Sequence, residues 1–74
     1  MSDKLPSLSG AQVVKALKRA GFEPQSQRGD HVKMRHPVTG MRPIVPLHDD
    51  LAQGTLASIL RQAGLTRDDL RKLL

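Results

Sequence analysis

The sequence contains no cysteine, tryptophan or tyrosine, and its single aromatic residue is Phe22. Without cysteine the chain forms neither a disulfide nor a thiolate zinc site, so its fold depends on a hydrophobic core. Without a row of aromatic rings it lacks a platform on which unpaired bases stack, which argues against RNA-recognition-motif and OB-fold binding. If the protein binds RNA, it would do so through the backbone, the 2′-hydroxyl and the helical shape.

Long apolar segments are also missing. No stretch approaches the ~18 apolar residues of a membrane span, and the N-terminal sequence lacks the apolar region of a secretion signal. We therefore expect a cytoplasmic protein that does not contact a membrane. A chain of 74 residues has room for one domain, residues 1–74, whose core buries only ~60% of the unfolded chain's surface.

Positive charge is concentrated in one part of the chain. There are 12 Lys and Arg against 7 Asp and Glu, a net charge of +5. The excess lies in a window that contains Lys15, Lys18, Arg19, Arg28, Lys33, Arg35 and Arg42. Such a patch is typical of proteins that bind phosphate backbones or an acidic protein partner. A charged surface that only maintains solubility is the alternative.

The N-terminal third predicts a helix over about residues 10–20. Ser9 with Gln12 three residues later forms a capping box. Gly21 suits the left-handed position that ends a helix, and Phe22 can fold back on the last turn as in a Schellman motif. The apolar stripe of the predicted helix consists of Val13, Val14, Leu17 and Ala20.

Three short strands are predicted to follow. Residues 23–28 give a weak strand signal, whereas residues 31–36 alternate clearly. In this second strand Val32 and Met34 should face the core, so His31, Lys33 and Arg35 should face solvent. Residues 37–40 predict a turn, and residues 41–46 predict a return strand limited by its prolines.

The C-terminal third predicts two further helices. Residues 54–64 carry apolar side chains at helical spacing and end at Gly64, and Thr66 with Asp69 marks the start of a short last helix. The order α-β-β-β-α-α with short connections predicts an α+β protein, a two-layer sandwich with an antiparallel sheet and both main helices on one face.

Four motifs in this order resemble the HicA family of toxins from HicA-HicB toxin-antitoxin pairs. They are Gly21-Phe22, Gly29-Asp30-His31, Val45-Pro46-Leu47-His48 and the run from Gly54 to Gly64. The resemblance implies a double-stranded-RNA-binding-like fold, ribonuclease activity on mRNA that arrests translation, and a catalytic histidine matching His31. It also implies a HicB-like antitoxin that covers this site. The family usually has Gly-Ser-His, and Asp30 replaces the serine here.

RNA cleavage is chemically compatible with these residues. RNA carries its own nucleophile, so cleavage needs a base for the 2′-hydroxyl proton and donors that stabilise charge on phosphorus. His31 is the natural base, and Lys33 and Arg35 are the first candidates to bind the phosphate. Further RNA-binding candidates are Arg28, Lys15, Lys18 and Arg19. We expect no metal and no cofactor; a non-catalytic module that binds structured RNA or a protein through the same basic face is the alternative.

The remaining polar residues of interest are Asp30, His36 and His48. Asp30 either orients the imidazole of His31 or repels an approaching phosphate. Because side chains alternate along a strand, we expect Asp30 to point away from His31 and repulsion to dominate. For His36 and His48 we expect structural roles, with a general acid or a metal ligand as the less favoured interpretations of His48.

Overall fold

The computed structural model describes residues 4–74, which form six elements in the predicted order. They are α1 (Gly10–Arg19), β1 (Glu23–Arg28), β2 (His31–Arg35), β3 (Ile44–Pro46), α2 (Gln53–Ala63) and α3 (Arg67–Leu73). The sheet has the order β1-β2-β3 with antiparallel neighbours. This confirms the α+β class, and the arrangement is consistent with the α-β-β-β-α order of double-stranded-RNA-binding domains.

Both ends of α1 are closed as the sequence predicts. Ser9 and Gln12 form the complete capping box. At the other end, Phe22 N donates to Leu17 O at 3.0 Å, while Gly21 has a φ of 97°. This is a Schellman motif, and it ends the helix one residue earlier than the predicted residue 20.

The start of α1 lies against the segment that follows β3. Gly10 N donates to His48 O at 2.9 Å. A Cβ atom on Gly10 would lie 1.9 Å from Pro46 O, so no larger residue fits without displacing this backbone. The close approach therefore holds the end of β3 and the backbone of His48 against the first turn of α1.

A two-residue turn, Gly29 and Asp30, joins β1 to β2. Gly29 has a φ of 59°, as type II′ hairpin turns require at their first central position. All side chains of the edge strand β1 are exposed, and its pairing shifts between Pro24 and Ser26. Because neither face of β1 is buried, its sequence has no alternating pattern, which explains the weak strand signal.

The third strand is shorter than predicted. It covers Ile44–Pro46 instead of residues 41–46. Upstream, Met34 N donates to Pro43 O at 2.9 Å and His36 N donates to Met41 O at 3.0 Å. Because Pro43 has no N–H to return a hydrogen bond, this part of the chain accepts bonds from β2 without completing a regular ladder.

The core lies between one face of the sheet and the helices. Met34 is 0% exposed and Val32 is 6% exposed, which confirms the predicted alternation along β2. The other buried apolar residues are Leu5, Leu8, Val13, Ala16, Leu17, Phe22, Val45, Leu51, Leu56, Ile59, Leu60, Ala63 and Leu70. Gly64 ends α2 in the left-handed conformation, and Thr66 and Asp69 form the predicted capping box of α3.

Candidate active site

The sheet face turned away from the core carries a groove, here called the sheet groove. Its volume is about 570 Å³. The residues that line it are Ser26, Gln27, Arg28, His31, Lys33 and Ile44. All three strands contribute, because the pairing register sets the outward-facing positions of neighbouring strands side by side.

Two cations flank His31 in the sheet groove. Arg28 is the cross-strand partner of His31, so the Cβ atoms of the two residues are about 5 Å apart. Lys33 lies two positions further along β2, or about 7 Å from His31. Among residues 4–74, neither cation forms an ion pair with an acidic side chain. The sheet groove is therefore positively charged around one imidazole.

The Asp30 carboxylate contacts two imidazoles at once. Its Oδ1 lies 2.9 Å from Nδ1 of His31, and its Oδ2 lies 3.0 Å from Nε2 of His48. The three side chains are about half exposed, at 58% for Asp30, 52% for His31 and 55% for His48. The hydrogen bond from His48 lowers the pKa of Asp30 below its ordinary value of 3.8, and the proximity of His31 lowers this pKa further.

This geometry overturns the expectation that Asp30 points away from His31. That expectation assumed strand geometry, but Asp30 lies in the turn before β2, where side chains do not alternate. The backbone also connects the turn to the chain after β3, because Leu47 N donates to Asp30 O. With His31 paired to Pro46, the side chain of His48 is brought to the same carboxylate.

The contacts determine which ring nitrogens remain available. An ionised carboxylate only accepts hydrogen bonds, so Nδ1 of His31 and Nε2 of His48 must carry the protons that face Asp30. In a neutral imidazole the opposite nitrogen is then unprotonated. Nε2 of His31 can accept a proton, and Nδ1 of His48 is the second free position.

The other predicted RNA-binding cations lie away from His31. Arg35 is half-buried at the end of β2, about 13 Å along the strand from His31. In the helical layer, Lys15 and Arg19 line a different groove beside Leu73 and Leu74, and Arg19 Nη1 donates to Leu73 O at 2.7 Å. Lys18 is exposed on α1. The structure thus groups Arg28 and Lys33 with His31 and separates Lys15, Lys18 and Arg19 from them.

His36 has the structural role that its position in the sequence predicts. Its Nδ1 accepts hydrogen bonds from Val38 N at 3.1 Å and Thr39 N at 3.2 Å. The ring also contacts Phe22 edge to face, with centroids 5.0 Å apart. The nitrogen therefore stabilises the turn between β2 and β3, and the ring packs the end of β2 against Phe22.

Neither a cluster of metal-ligand residues nor a membrane-spanning helix is found in residues 4–74. Within this range no three side chains of His, Cys, Asp or Glu are arranged to hold a metal ion. Asp50, two residues after His48, accepts a hydrogen bond from Ser7 Oγ at 2.6 Å. No helix in the same range is long and apolar enough to cross a membrane.

The contact between Asp30 and His48 is the feature of the candidate site that the sequence analysis did not predict. Their separation of 18 residues gives no periodic signal. Only the topology could have indicated the contact, because a two-residue turn and a short return strand bring residues 30 and 48 to the same end of β2 and β3. Recognising it requires the strand register, which the sequence pattern leaves open because the return strand is interrupted by prolines.

Comparison with known proteins agrees with this architecture. A family model described as the HicA toxin of bacterial toxin-antitoxin systems matches residues 10–65, most of the chain. No curated protein matches the sequence significantly. The matched segment begins at the first residue of α1 and ends just after Gly64, so it contains His31, Asp30, His48 and all three strands. The chain belongs to the HicA toxin family of bacterial toxin-antitoxin systems.

Proposed function

We propose that this HicA toxin is a metal-independent endoribonuclease that cleaves mRNA, and that Nε2 of His31 is its general base. One observation carries the proposal: the 2.9 Å contact between Asp30 and Nδ1 of His31 leaves Nε2 free beside Arg28 and Lys33, which form no ion pair among residues 4–74. A carboxylate that holds one ring nitrogen fixes the tautomer and orientation of the ring, as in other acid-base sites.

The cleavage step follows from this arrangement. A phosphodiester lies in the sheet groove with its oxygens near Arg28 and Lys33, which stabilise the negative charge that develops on phosphorus. Nε2 of His31 removes the 2′-hydroxyl proton, and the 2′-oxygen attacks the adjacent phosphorus. A positioned general base of this kind contributes about 10²- to 10⁴-fold to the rate.

The sheet groove suits the backbone of RNA better than its bases. Its polar lining consists of two cations, the imidazole and the side chains of Ser26 and Gln27. Contacts to phosphate and sugar position a nucleic acid without reading its sequence. Membership of a toxin-antitoxin family implies an antitoxin partner, and we propose that a HicB-like antitoxin inhibits this protein by covering the sheet groove.

The test compares the wild type with His31→Asn in RNA cleavage and RNA binding, both in excess chelator. Asparagine retains a donor near the position of Nδ1, so Asp30 keeps a partner while the base is removed. We expect cleavage to fall by about 10²- to 10⁴-fold with little change in RNA affinity. The wild type should leave a 2′,3′-cyclic phosphate or its hydrolysis product.

Two outcomes would contradict the proposal. If His31→Asn cleaves as fast as the wild type, His31 is not the base. If pure, folded wild type binds RNA without cleaving it, the protein acts as a non-catalytic RNA-binding module, which is the alternative that its exposed basic face supports.

A further inference from the structure

We infer that His48 is a second catalytic residue, the general acid that protonates the leaving 5′-oxygen, and that Asp30 positions both histidines. The inference rests on the proposed ribonuclease function and extends it. Cleavage of a phosphodiester by its own 2′-hydroxyl needs two proton transfers, one from the nucleophile and one to the leaving group. His31 accounts for the first of these.

The geometry brings a second imidazole within reach of the same phosphate. The ring centroids of His31 and His48 are 6.2 Å apart. A catalytic nitrogen acts over about 3 Å, so two rings whose centroids lie this far apart are spaced to act on two oxygens of one phosphate. No residue among those described forms a hydrogen bond with Nδ1 of His48, and its side chain is 55% exposed. This nitrogen therefore has no partner among the described residues and belongs to a half-exposed side chain.

A purely structural role explains this contact poorly. The backbone already holds the chain on either side of His48, because Leu47 N donates to Asp30 O and Gly10 N donates to His48 O. Hydrogen-bonded charge pairs between half-exposed side chains stabilise a fold little. The carboxylate instead divides its two oxygens between two rings, which is an arrangement that orients both.

The proposed step balances in protons and bonds. The 2′-oxygen forms a bond to phosphorus while its proton passes to Nε2 of His31. The bond between phosphorus and the 5′-oxygen breaks, and this oxygen takes the proton from Nδ1 of His48. The products are a 2′,3′-cyclic phosphate and a 5′-hydroxyl, with no water, metal or oxidant consumed. His48 therefore starts as the imidazolium, with protons on both ring nitrogens, and ends neutral with its proton on Nε2 facing Asp30, while His31 starts neutral and ends as the imidazolium.

A substrate with a better leaving group tests this role directly. An RNA whose scissile 5′-oxygen is replaced by sulfur releases a thiolate, which leaves without being protonated. His48→Gln keeps an N–H donor near Nε2 for Asp30 but removes the acid at Nδ1. We expect His48→Gln to lose about 10²- to 10⁴-fold in kcat on the oxygen substrate and to cleave the sulfur substrate within about 10-fold of the wild type.

Matched variants separate this role from the others. His31→Asn should be slow on both substrates, since both need the base, and Lys33→Ala should lose equally on both. His48→Ala, which also removes the contact with Asp30, should show the same selectivity for sulfur if His48 is the acid. Far-UV circular dichroism and the midpoint of thermal unfolding establish that each variant is folded.

The outcomes distinguish this inference from the proposed function. His48 is not the acid if His48→Gln cleaves both substrates as fast as the wild type does, or if it loses the same factor on both. The role of His31 still stands in that case if His31→Asn is inactive. If folded wild type cleaves neither substrate, the proposed ribonuclease function fails and the acid role fails with it.

Discussion

Oδ2 of Asp30 lies 3.0 Å from Nε2 of His48, although 18 residues separate them in the sequence. The other oxygen of the same carboxylate contacts His31. Asp30 thus places a charged acceptor between two imidazoles.

Asp30→Asn should lower kcat of RNA cleavage by about 10- to 100-fold, because it removes a group that orients the imidazoles; outer-shell partners of metal-bound histidines have effects of this size. The amide has the shape of the carboxylate but only one acceptor oxygen, so one imidazole loses its partner. Steady-state kinetics and an RNA-binding titration measure the effect. If Asp30 mainly repelled phosphate, the same variant would instead bind RNA more tightly and raise kcat/KM.

Asp30 should also make a small contribution to stability that is lost in acid. Because its pKa in the folded protein is lowered by His48, its contacts stabilise the fold above its ordinary pKa, and this contribution disappears as pH falls through the lowered value. The midpoint of thermal unfolding of Asp30→Asn should therefore fall less between about pH 5 and about pH 2 than that of the wild type. Asp49→Asn, which removes a carboxylate without a hydrogen bond among residues 4–74, is the control and should follow the wild type.

The cations of the sheet groove should bind RNA more strongly than those of the helical layer. Arg28→Ala should weaken binding to all RNA sequences and reduce the slope of log K against log salt by about 1. Lys18→Ala removes the same charge from α1 and should leave the slope unchanged. Equal effects of the two variants would mean that RNA also contacts the helices.

Met34→Ala should reduce the free energy of unfolding by about 2 to 5 kcal/mol, since it leaves a cavity under the centre of the sheet. Met34 is 0% exposed, whereas Val38 in the turn is 85% exposed. Val38→Ala should therefore change stability by less than about 0.5 kcal/mol. Urea unfolding followed by circular dichroism measures both, and a small loss for Met34→Ala would contradict the packing of β2.

Gly10→Ala should destabilise the protein by about 1 to 3 kcal/mol, because the new methyl group overlaps Pro46 O and forces the backbone apart. Gly54, in the first turn of α2, has open space around its Cα. Gly54→Ala should stabilise by about 0.5 to 1 kcal/mol through helix propensity. Since Gly10 also holds the backbone of His48, Gly10→Ala should slow RNA cleavage more than Gly54→Ala does.

Elements with local signals were predictable from the sequence. The capping box at Ser9 and the turn at Gly21 depend on residues only a few positions apart, and so does the alternation of Val32 and Met34. Such signals act within one turn of helix or one strand, and the structure confirms them. Two strands lacked such a local signal. The sequence of β1 predicted a strand only weakly because this edge strand is exposed throughout. The length of β3 was overestimated because prolines interrupt its pattern.

By itself, the sequence determined the order of helices and strands, the face of β2 that carries His31, and the excess of positive charge. Only the tertiary structure decided which charges act together. The register of β1 against β2 brings Arg28 beside His31, and packing of α1 separates Lys15 and Arg19 from it. The contact between Asp30 and His48 likewise depends on a hairpin turn and a short strand meeting at one end of the sheet. The physical reason is that helix caps and strand alternation depend on neighbours in the chain, whereas side-chain contacts across a sheet depend on strand register and on how closely the backbones approach.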